Sequence, residues 1–467
     1  MCGISGIIGA KNKSNLEFDL RSMNDLIYHR GPDAEGFYIH NNLGFGHRRL
    51  SILDLSEQGN QPMDYSHCTI TYNGEIYNYI EIKNTLVSKG YSFRSDSDTE
   101  VILAAYTEWG VKCVQYFNGM WAFAIHDKKK DIVFLSRDRF GIKPLYFMEH
   151  AGTFYFGSEI KQLLYFIPNP KVNRQILFDY LYLSYHHHTN NTFFKGIQSL
   201  PHSHNVIYSI KDNSYSIDKY YNLKINPEYS KLSLENALQK HKELMSQSIR
   251  LRLRSDVKVG TCLSGGMDSS FIAASAAPIY KQKAKDNFTA ITAKSIEKKT
   301  DESQYAKEIV DRYNLDWETT KPSKKDFLES VDEVIKLQEE PFGSPSIIMQ
   351  YFVMKKAKEK GCIVMLDGQG GDETLLGYDR YYATYVNQQK GLINKIKSSI
   401  EVSKNSKLSL KDVVLFNLYF NNKTIRKIRQ IRRNKFIKKP YKKYFNNDLL
   451  SRITKKNSNI EELQHSE

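Results

Sequence analysis

The chain has 467 residues, of which 40% are hydrophobic, enough for roughly two or three domains with packed cores. No run approaches the roughly 18 apolar residues of a spanning helix, and the N-terminus lacks a basic stretch followed by an apolar core, so a membrane anchor and a secretory signal are not expected and the cytoplasm is. The formal charge of +15 gathers late, in residues 423–444 "KTIRKIRQIRRNKFIKKPYKKY"; with no nucleic-acid motif beside it, this stretch reads as solvated helix surface, and no nucleic-acid partner is expected.

Residues 2–190 are dense in short strand-like runs, such as "TITYNGEIYN", "WAFAIHD" and "DIVFLSRD", broken by Gly, Asn and Asp. That pattern predicts an antiparallel α+β domain. Within it, residues 99–110 "TEVILAAYTEWG" carry apolar residues at helical spacing and end on Gly110. Residues 191–235 read as a connector with its own strands, interrupted by Pro201, His202 and Ser203. From residue 236 the pattern changes. Helix "LENALQKHKELMSQSIRLRL" precedes strand "VKVGTCL", a Gly-rich turn and helix "SSFIAASAAPIY". Strands "FTAITA" and "CIVMLDG" then alternate with helices "DESQYAKEIVDRY" and "PSIIMQYFVMKKAKEK". Alternation with apolar strands predicts a parallel sheet covered by helices. The chain from about 390 reads as helical and basic.

The five cysteines are scattered and never spaced C-x-x-C, which argues for reduced thiols rather than disulfides or zinc. Cys2 is singular: removal of Met1 alone gives it both a thiol and an α-amine, whose pKa of roughly 8 suits a base towards that thiol. Gly3 is expected to leave room for a substrate there. In "YNGEIYN" the amide of Asn73 and the N–H of Gly74 can hold an oxyanion. Arg49 can clamp an α-carboxylate, and Glu75 and Asp98 an α-ammonium.

The turn 259–270 "VGTCLSGGMDSS" joins a buried strand to a helix. Gly265 and Gly266 let amides approach an anion, Ser264 and Ser269 can donate to phosphate oxygens, and Asp268 suits a bridging Mg²⁺. No G-x-x-x-x-G-K-[ST] is present. A second acidic turn, 363–378 "IVMLDGQGGDETLLGY", places Asp372 and Glu373 just past another strand, where a second metal ligand fits. Together the two turns predict a nucleotide and Mg²⁺ site that activates a carboxylate as an acyl-adenylate.

These motifs resemble the glutamine-hydrolysing asparagine synthetase family over about residues 2–385. The matching stretches include "MCGISGIIG", "HRGPDAEG", "GHRRLSILDLSEQGNQPM", "YNGEIYNY", "RDRFGIKPLYF", "LSGGMDSS", "EEPFGSPS" and "DGQGGDETLLGY". The resemblance implies an N-terminal Ntn-hydrolase αββα sandwich over 2–190, a glutamine amidotransferase type-2 domain, and a parallel-sheet α/β PP-loop domain over 236–467. It implies Cys2 as nucleophile, with Asn73 and Gly74 as oxyanion donors. Glutamine would be bound by Arg49, Leu50, Ser51, Ile52, Leu53, Asn73, Gly74, Glu75 and Asp98. ATP and pyrophosphate would be bound by Leu263, Ser264, Gly265, Gly266, Asp268, Ser269, Ala293, Asp367 and Gly368, with Asp268 and Asp372 as Mg²⁺ ligands. Ammonia would pass inside the protein to β-aspartyl-AMP, giving asparagine, AMP and pyrophosphate. The substrates expected are glutamine with aspartate or another carboxylate; a homodimer is left open.

Two departures stand against the family pattern. Its second turn reads S-G-E-G-x-D-E, and here Asp367 and Gln369 occupy the Ser and Glu positions. A neutral amide at the catalytic position of Gln369 can hydrogen-bond but cannot act as a base. The family's later R-x-P-F-L-D-like motif and lysine-bearing stretch are absent before Glu467, so the synthetase-like portion is expected to lack its usual C-terminal part. Alternatives are therefore a paralogue amidating another carboxylate in a polysaccharide or specialised-metabolite pathway, or a shortened form with glutaminase activity only or a binding role.

Overall fold

The computed structural model describes residues 1–10, 13–284, 286–297, 301–406 and 408–428. Most of the basic stretch lies outside them. The chain divides into two compact units, residues 1–367 and residues from 368 onward.

The first unit opens with β1 (Gly3–Ile8), helix α1 (Lys13–Asp25) and the hairpin β2 (Ala34–His40) with β3 (Leu43–Arg49). Next come β4 (Met63–Tyr65), the long β5 (Cys68–Ile76), and helices α2 (Tyr79–Val87) and α3 (Asp98–Trp109). Strands β6 (Gly119–Asp127), β7 (Ile132–Arg137), β8 (Tyr146–His150) and β9 (Thr153–Gly157) lead to helices α4 (Ile160–Leu164) and α5 (Arg174–Phe178). Strands β10 (Gln198–Ser199), β11 (His204–Ser209) and β12 (Ser214–Lys219) follow. The strands form two six-stranded sheets, ordered β10-β8-β9-β1-β3-β2 and β12-β11-β7-β6-β5-β4. The stretch expected as a connector thus supplies β10 to one sheet and β11–β12 to the other.

Side-chain alternation makes the layers. On β1, Ile4 and Ile8 pack with Phe45 against Ala122, Val133, Leu135 and Val206 of the other sheet. Ile7 faces the opposite way, onto Leu16, Leu20 and Met23 of α1 and Leu163 of α4. The far face of the second sheet, with Ile70, Tyr72, Phe123 and Phe134, packs on α2 and α3. The result is the αββα sandwich that the resemblance implied. Helix α3 is capped by Ser97, whose side chain accepts from the Thr99 N–H, and it stops at Gly110 with φ +58°. Its residues Val101 to Tyr106 are all buried, as expected of a helix apolar on every side.

The rest of the first unit alternates. Helix α6 (Leu234–Arg252) precedes β13 (Val259–Cys262), α7 (Met267–Ala284), β14 (Thr289–Ala293), α8 (Ser303–Tyr313) and β15 (Asp316–Thr320). Helices α9 (Lys324–Gln338) and α10 (Ser346–Glu359) then lead to β16 (Val364–Leu366). All pairings are parallel, in the order β15-β14-β13-β16. Ile249, Ala273, Ala277, Tyr280 and Val310 cover one face; Val353 and Ala357 of α10 pack with Ile291 on the other. The sequence pattern does not mark β15, because "DWETT" is polar, nor α9. β13 and β16 lie side by side and parallel, so their carboxyl ends, from which the two Gly-rich stretches leave, share one edge of the sheet.

The second unit holds α11 (Gly371–Leu375), α12 (Tyr381–Gln388), α13 (Leu392–Asn405) and α14 (Leu410–Asn421). Val386, Val402 and Val413 form its core. Among the described residues no helix is long and apolar enough to cross a membrane.

Candidate functional site

Cys2 precedes β1, at the mouth of the first sheet. Its Sγ accepts from the Leu50 N–H at 3.3 Å and lies 3.5 Å from the Leu50 carbonyl. Burial pushes the thiol pKa up, while the terminal amine and Lys143 work in the other direction. The terminal amine, Met1's in this chain, is lowered to about 5, chiefly by burial and then by Arg30 and Lys143. Arg30 Nε donates to the Cys2 carbonyl at 2.9 Å, and its Nη1 to Glu159 Oε1 at 2.9 Å. A Cβ on Gly3 would lie 2.4 Å from Ile27 Cδ1, the movable end of a side chain, so the packing of β1 also favours a glycine there.

The edge of β5 supplies the donors. β4 pairs only as far as Ile70, so beyond it this edge of β5 has no strand neighbour. The Tyr72 N–H goes to Gln61 Oε1 at 2.6 Å and the Ile76 N–H to Asp98 Oδ2 at 2.8 Å. Strand alternation turns the Gly74 N–H, midway between them, to the same open edge. A side chain at Gly74 would collide with the Met120 carbonyl and the Tyr72 ring. Asn73 Nδ2 is buried without a hydrogen-bond partner among the described residues. Buried donors of this kind are rare and call for an explanation.

Glu75, half-buried, and Asp98, buried, lie within electrostatic reach of each other. Asp98 also accepts from the Tyr72 hydroxyl at 2.8 Å. Burial, more than these hydrogen bonds can offset, raises Asp98 to about 6. Burial and then the Asp98 charge raise Glu75 well above the carboxylate range, against the pull of Lys143. A carboxyl raised above its unfolded value weakens the fold as pH climbs through that interval, and a bound ammonium offsets the cost. Glutamine is therefore expected to raise the melting temperature of a Cys2→Ala protein, which cannot consume it, more at about pH 7 than at about pH 5. The kcat/KM for glutamine should decline as pH falls through the titration of the pair. A glutamine-induced shift that is independent of pH would refute this assignment.

Arg49 is arranged differently from the free clamp expected. Its guanidinium is buried and donates to Ser56 O (2.7 Å), Asn60 Oδ1 (2.8 Å), Leu53 O (3.4 Å) and Asp54 O. A buried guanidinium must satisfy its donors, and here it does so by drawing the loop after β3 around itself. Along that loop, the Ser51 N–H donates to Asp33 Oδ2 at 2.8 Å, and the Ile52 carbonyl accepts from Asp256 N at 3.0 Å.

Sequence reasoning missed Lys143 and Arg30, both within quoted motifs. Asp138 accepts from the N–H groups of Phe140, Ile142 and Lys143, shaping the turn that carries Lys143 inward. Lys143 is only 5% exposed and lies within electrostatic reach of Cys2 and Glu75. A lysine following so dense a turn in "DRFGIKP" was the signal available.

The phosphate-type turn follows β13. Gly265 has φ +93°, and a Cβ there would lie 2.6 Å from the Glu302 carbonyl, so the backbone passes against the start of α8 without room for a side chain. Ser264 and Ser269 share a hydroxyl bond at 2.9 Å, and the Gly266 N–H donates to Ser264 Oγ at 3.2 Å. The hydroxyls close the turn on itself rather than pointing outward. Asp268 lies in the first turn of α7. The Leu263 N–H bonds Ile291 O at 2.9 Å, which sets it beside the end of β14, where Ala293 lies. Asp367 follows β16 and accepts from Gln350 Nε2 at 3.3 Å. A loop denied side chains at the N-terminus of an 18-residue helix suits a polyphosphate. Gly368, Gln369 and Asp372 belong to the second unit, Asp372 in the first turn of α11.

Residues 1–221 match the family described as glutamine amidotransferase domain, and residues 240–463 the family described as asparagine synthase. The chain is 34% identical over 432 residues to a putative asparagine synthetase (glutamine-hydrolyzing) 2 of Methanocaldococcus jannaschii, covering 86% of this chain and 81% of that one. It is 33% identical to asparagine synthetase (glutamine-hydrolyzing) 1 of Bacillus subtilis, covering 82% of this chain and 59% of that one. It is 30% identical to a Gibberella zeae protein named amidase chry2, covering 82% of this chain and 60% of that one. With both halves matched in order along one chain, the protein belongs to the glutamine-hydrolysing asparagine synthetase family.

Proposed function

We propose that the protein hydrolyses glutamine at Cys2 and delivers the ammonia to a carboxylate activated by ATP, with aspartate the acceptor and asparagine, AMP and pyrophosphate the products. The observation that carries the first half is the buried Asn73 Nδ2, without a hydrogen-bond partner among the described residues. A donor held ready without an acceptor matches an oxyanion that exists only during reaction. The Cys2 sulfur attacks the glutamine Cδ; its proton passes to the terminal amine and then to the departing ammonia. Asn73 Nδ2 and the Gly74 N–H hold the tetrahedral oxygen, and water cleaves the thioester to glutamate. Glu75 and Asp98 take the α-ammonium. Arg49 keeps the neighbouring loop in shape and reaches the α-carboxylate once glutamine competes for its donors.

ATP use follows from the asparagine synthase match. In this reading the Gly265 amide faces the polyphosphate, the Gly266 amide and the Ser264 and Ser269 hydroxyls turn to it when it displaces their bonds to one another, and Leu263 and Ala293 lie along the adenosine. Asp268, in the first turn of α7, offers oxygen ligands of the kind Mg²⁺ takes, and the family resemblance names Asp372 as a second ligand; the ion would neutralise charge on the leaving pyrophosphate. We place the amidotransferase domain at 2–190, with the strands of 191–235 completing its two sheets, and the synthetase-like domain from 236. Purified protein given glutamine, Mg-ATP and aspartate should yield glutamate, AMP and asparagine. Glutamate and AMP formed with some other carboxylate, and no asparagine with aspartate, would favour the second reading, a paralogue with a different acceptor. Gln369 in place of the family's glutamate motivates that reading.

A further inference from the structure

We propose that Asp256, which lies in the nucleotide-binding half, is a positioning residue for glutamine hydrolysis: it pins the apex of the loop that walls the Cys2 site. The proposal rests on the reading of Cys2 as the glutaminase nucleophile.

The loop 50–56 touches the reacting sulfur at one end, where the Leu50 N–H meets Cys2 Sγ. At its apex Asp54 takes φ +52°, a left-handed conformation uncommon for a residue with a side chain. Two bonds hold this apex from the other half. The Asp256 N–H donates to Ile52 O at 3.0 Å, and Asp256 Oδ2 accepts from the Asp54 N–H at 2.9 Å. The Asp54 carboxylate passes the constraint on. Its Oδ1 accepts from the Ser56 N–H and hydroxyl at 3.1 and 2.6 Å, and its Oδ2 from the Asp96 N–H at 3.0 Å, two residues before Asp98. One bond at Asp54 therefore steadies a segment whose contacts reach Cys2 on one side and the turn carrying Asp98 on the other.

The segment bearing Asp256 is itself anchored on the sandwich. Arg254 grips Glu81 with two bonds of 2.6 Å and donates to Tyr77 O at 2.8 Å. Arg252 lies over the Tyr77 ring, 4.7 Å from its centroid. Asp256 is exposed, so removing its carboxylate lets water reach the Asp54 N–H, and the fold loses little. What is lost is order in the loop, which glutamine must then restore on binding.

The test is Asp256→Ala and Asp256→Asn in the full-length chain, assayed with glutamine and separately with ammonium chloride. In Asp256→Ala the KM for glutamine should rise about tenfold with kcat less affected, and ammonia-supported turnover should stay at the wild-type level. Asparagine keeps an oxygen at the same reach and should restore the KM. An alanine variant with wild-type KM overturns the proposal. So does an asparagine variant as impaired as alanine, which would point to charge rather than the hydrogen bond, and so does parallel loss of both activities. A wild-type protein that releases no glutamate defeats the reading of Cys2 itself; glutamine-active wild type with an unchanged alanine variant defeats only the pin.

Discussion

Replacing Cys2 with alanine is expected to lower glutamate release from glutamine by on the order of 10⁴-fold or more, while ammonium chloride still supports AMP formation. The sulfur makes only long contacts with Leu50, so its removal leaves the surrounding fold in place. The phosphate-type turn between β13 and α7 shares none of its hydrogen bonds with Cys2. The two activities should therefore separate cleanly. A variant that keeps glutaminase activity would sink the assignment. One that loses both would mean that Cys2 supports the fold rather than the chemistry. Intact mass of the wild-type protein should also show loss of Met1, because the terminal amine must belong to Cys2 for its sulfur to have a base of its own.

Much of this was legible in the sequence because the local signals were strong. Aromatic and β-branched content in "TITYNGEIYN" and "WAFAIHD" marks β5 and β6, which pair from Cys68 with Asp127 to Ile76 with Gly119. The strand–turn–helix pattern around "LSGGMDSS" reappears as β13 and α7, although α7 begins two residues earlier than the run quoted and continues past Pro278. The polar strand β15 was invisible because its pairing comes from β14 on one side and not from its own apolar content. At the site, Cys2, Asn73 and Gly74 could be named from motif and chemistry. The tasks of Arg30, Lys143 and Asp256 could not. Arg30 and Asp256 bond to, and Lys143 lies within electrostatic reach of, residues far away in the chain, and spacing carries no trace of such proximity. Arg49 shows the converse. Its residue type suggested a clamp, and only the fold reveals that its donors are already committed to the loop's carbonyls.

Replacing Asn73 with alanine should separate catalysis from stability. If Nδ2 serves the oxyanion, its loss removes an interaction made only in the transition state. The kcat for glutamine should fall roughly 10²- to 10³-fold with little change in KM. A structural asparagine would behave otherwise: its truncation would break hydrogen bonds and lower stability by about 1–3 kcal/mol. Here the buried Nδ2 has no partner among the described residues to lose. An unsatisfied buried donor is itself a cost, so the alanine variant should melt within a few degrees of the wild type, or above it. Asn73→Asp should be at least as inactive, since it sets a negative charge against the developing oxyanion. Steady-state kinetics and a melting curve on the same preparations decide the matter. A variant with lowered stability and near-normal kcat would return Asn73 to the fold and leave the Gly74 N–H as the remaining candidate donor to the oxyanion.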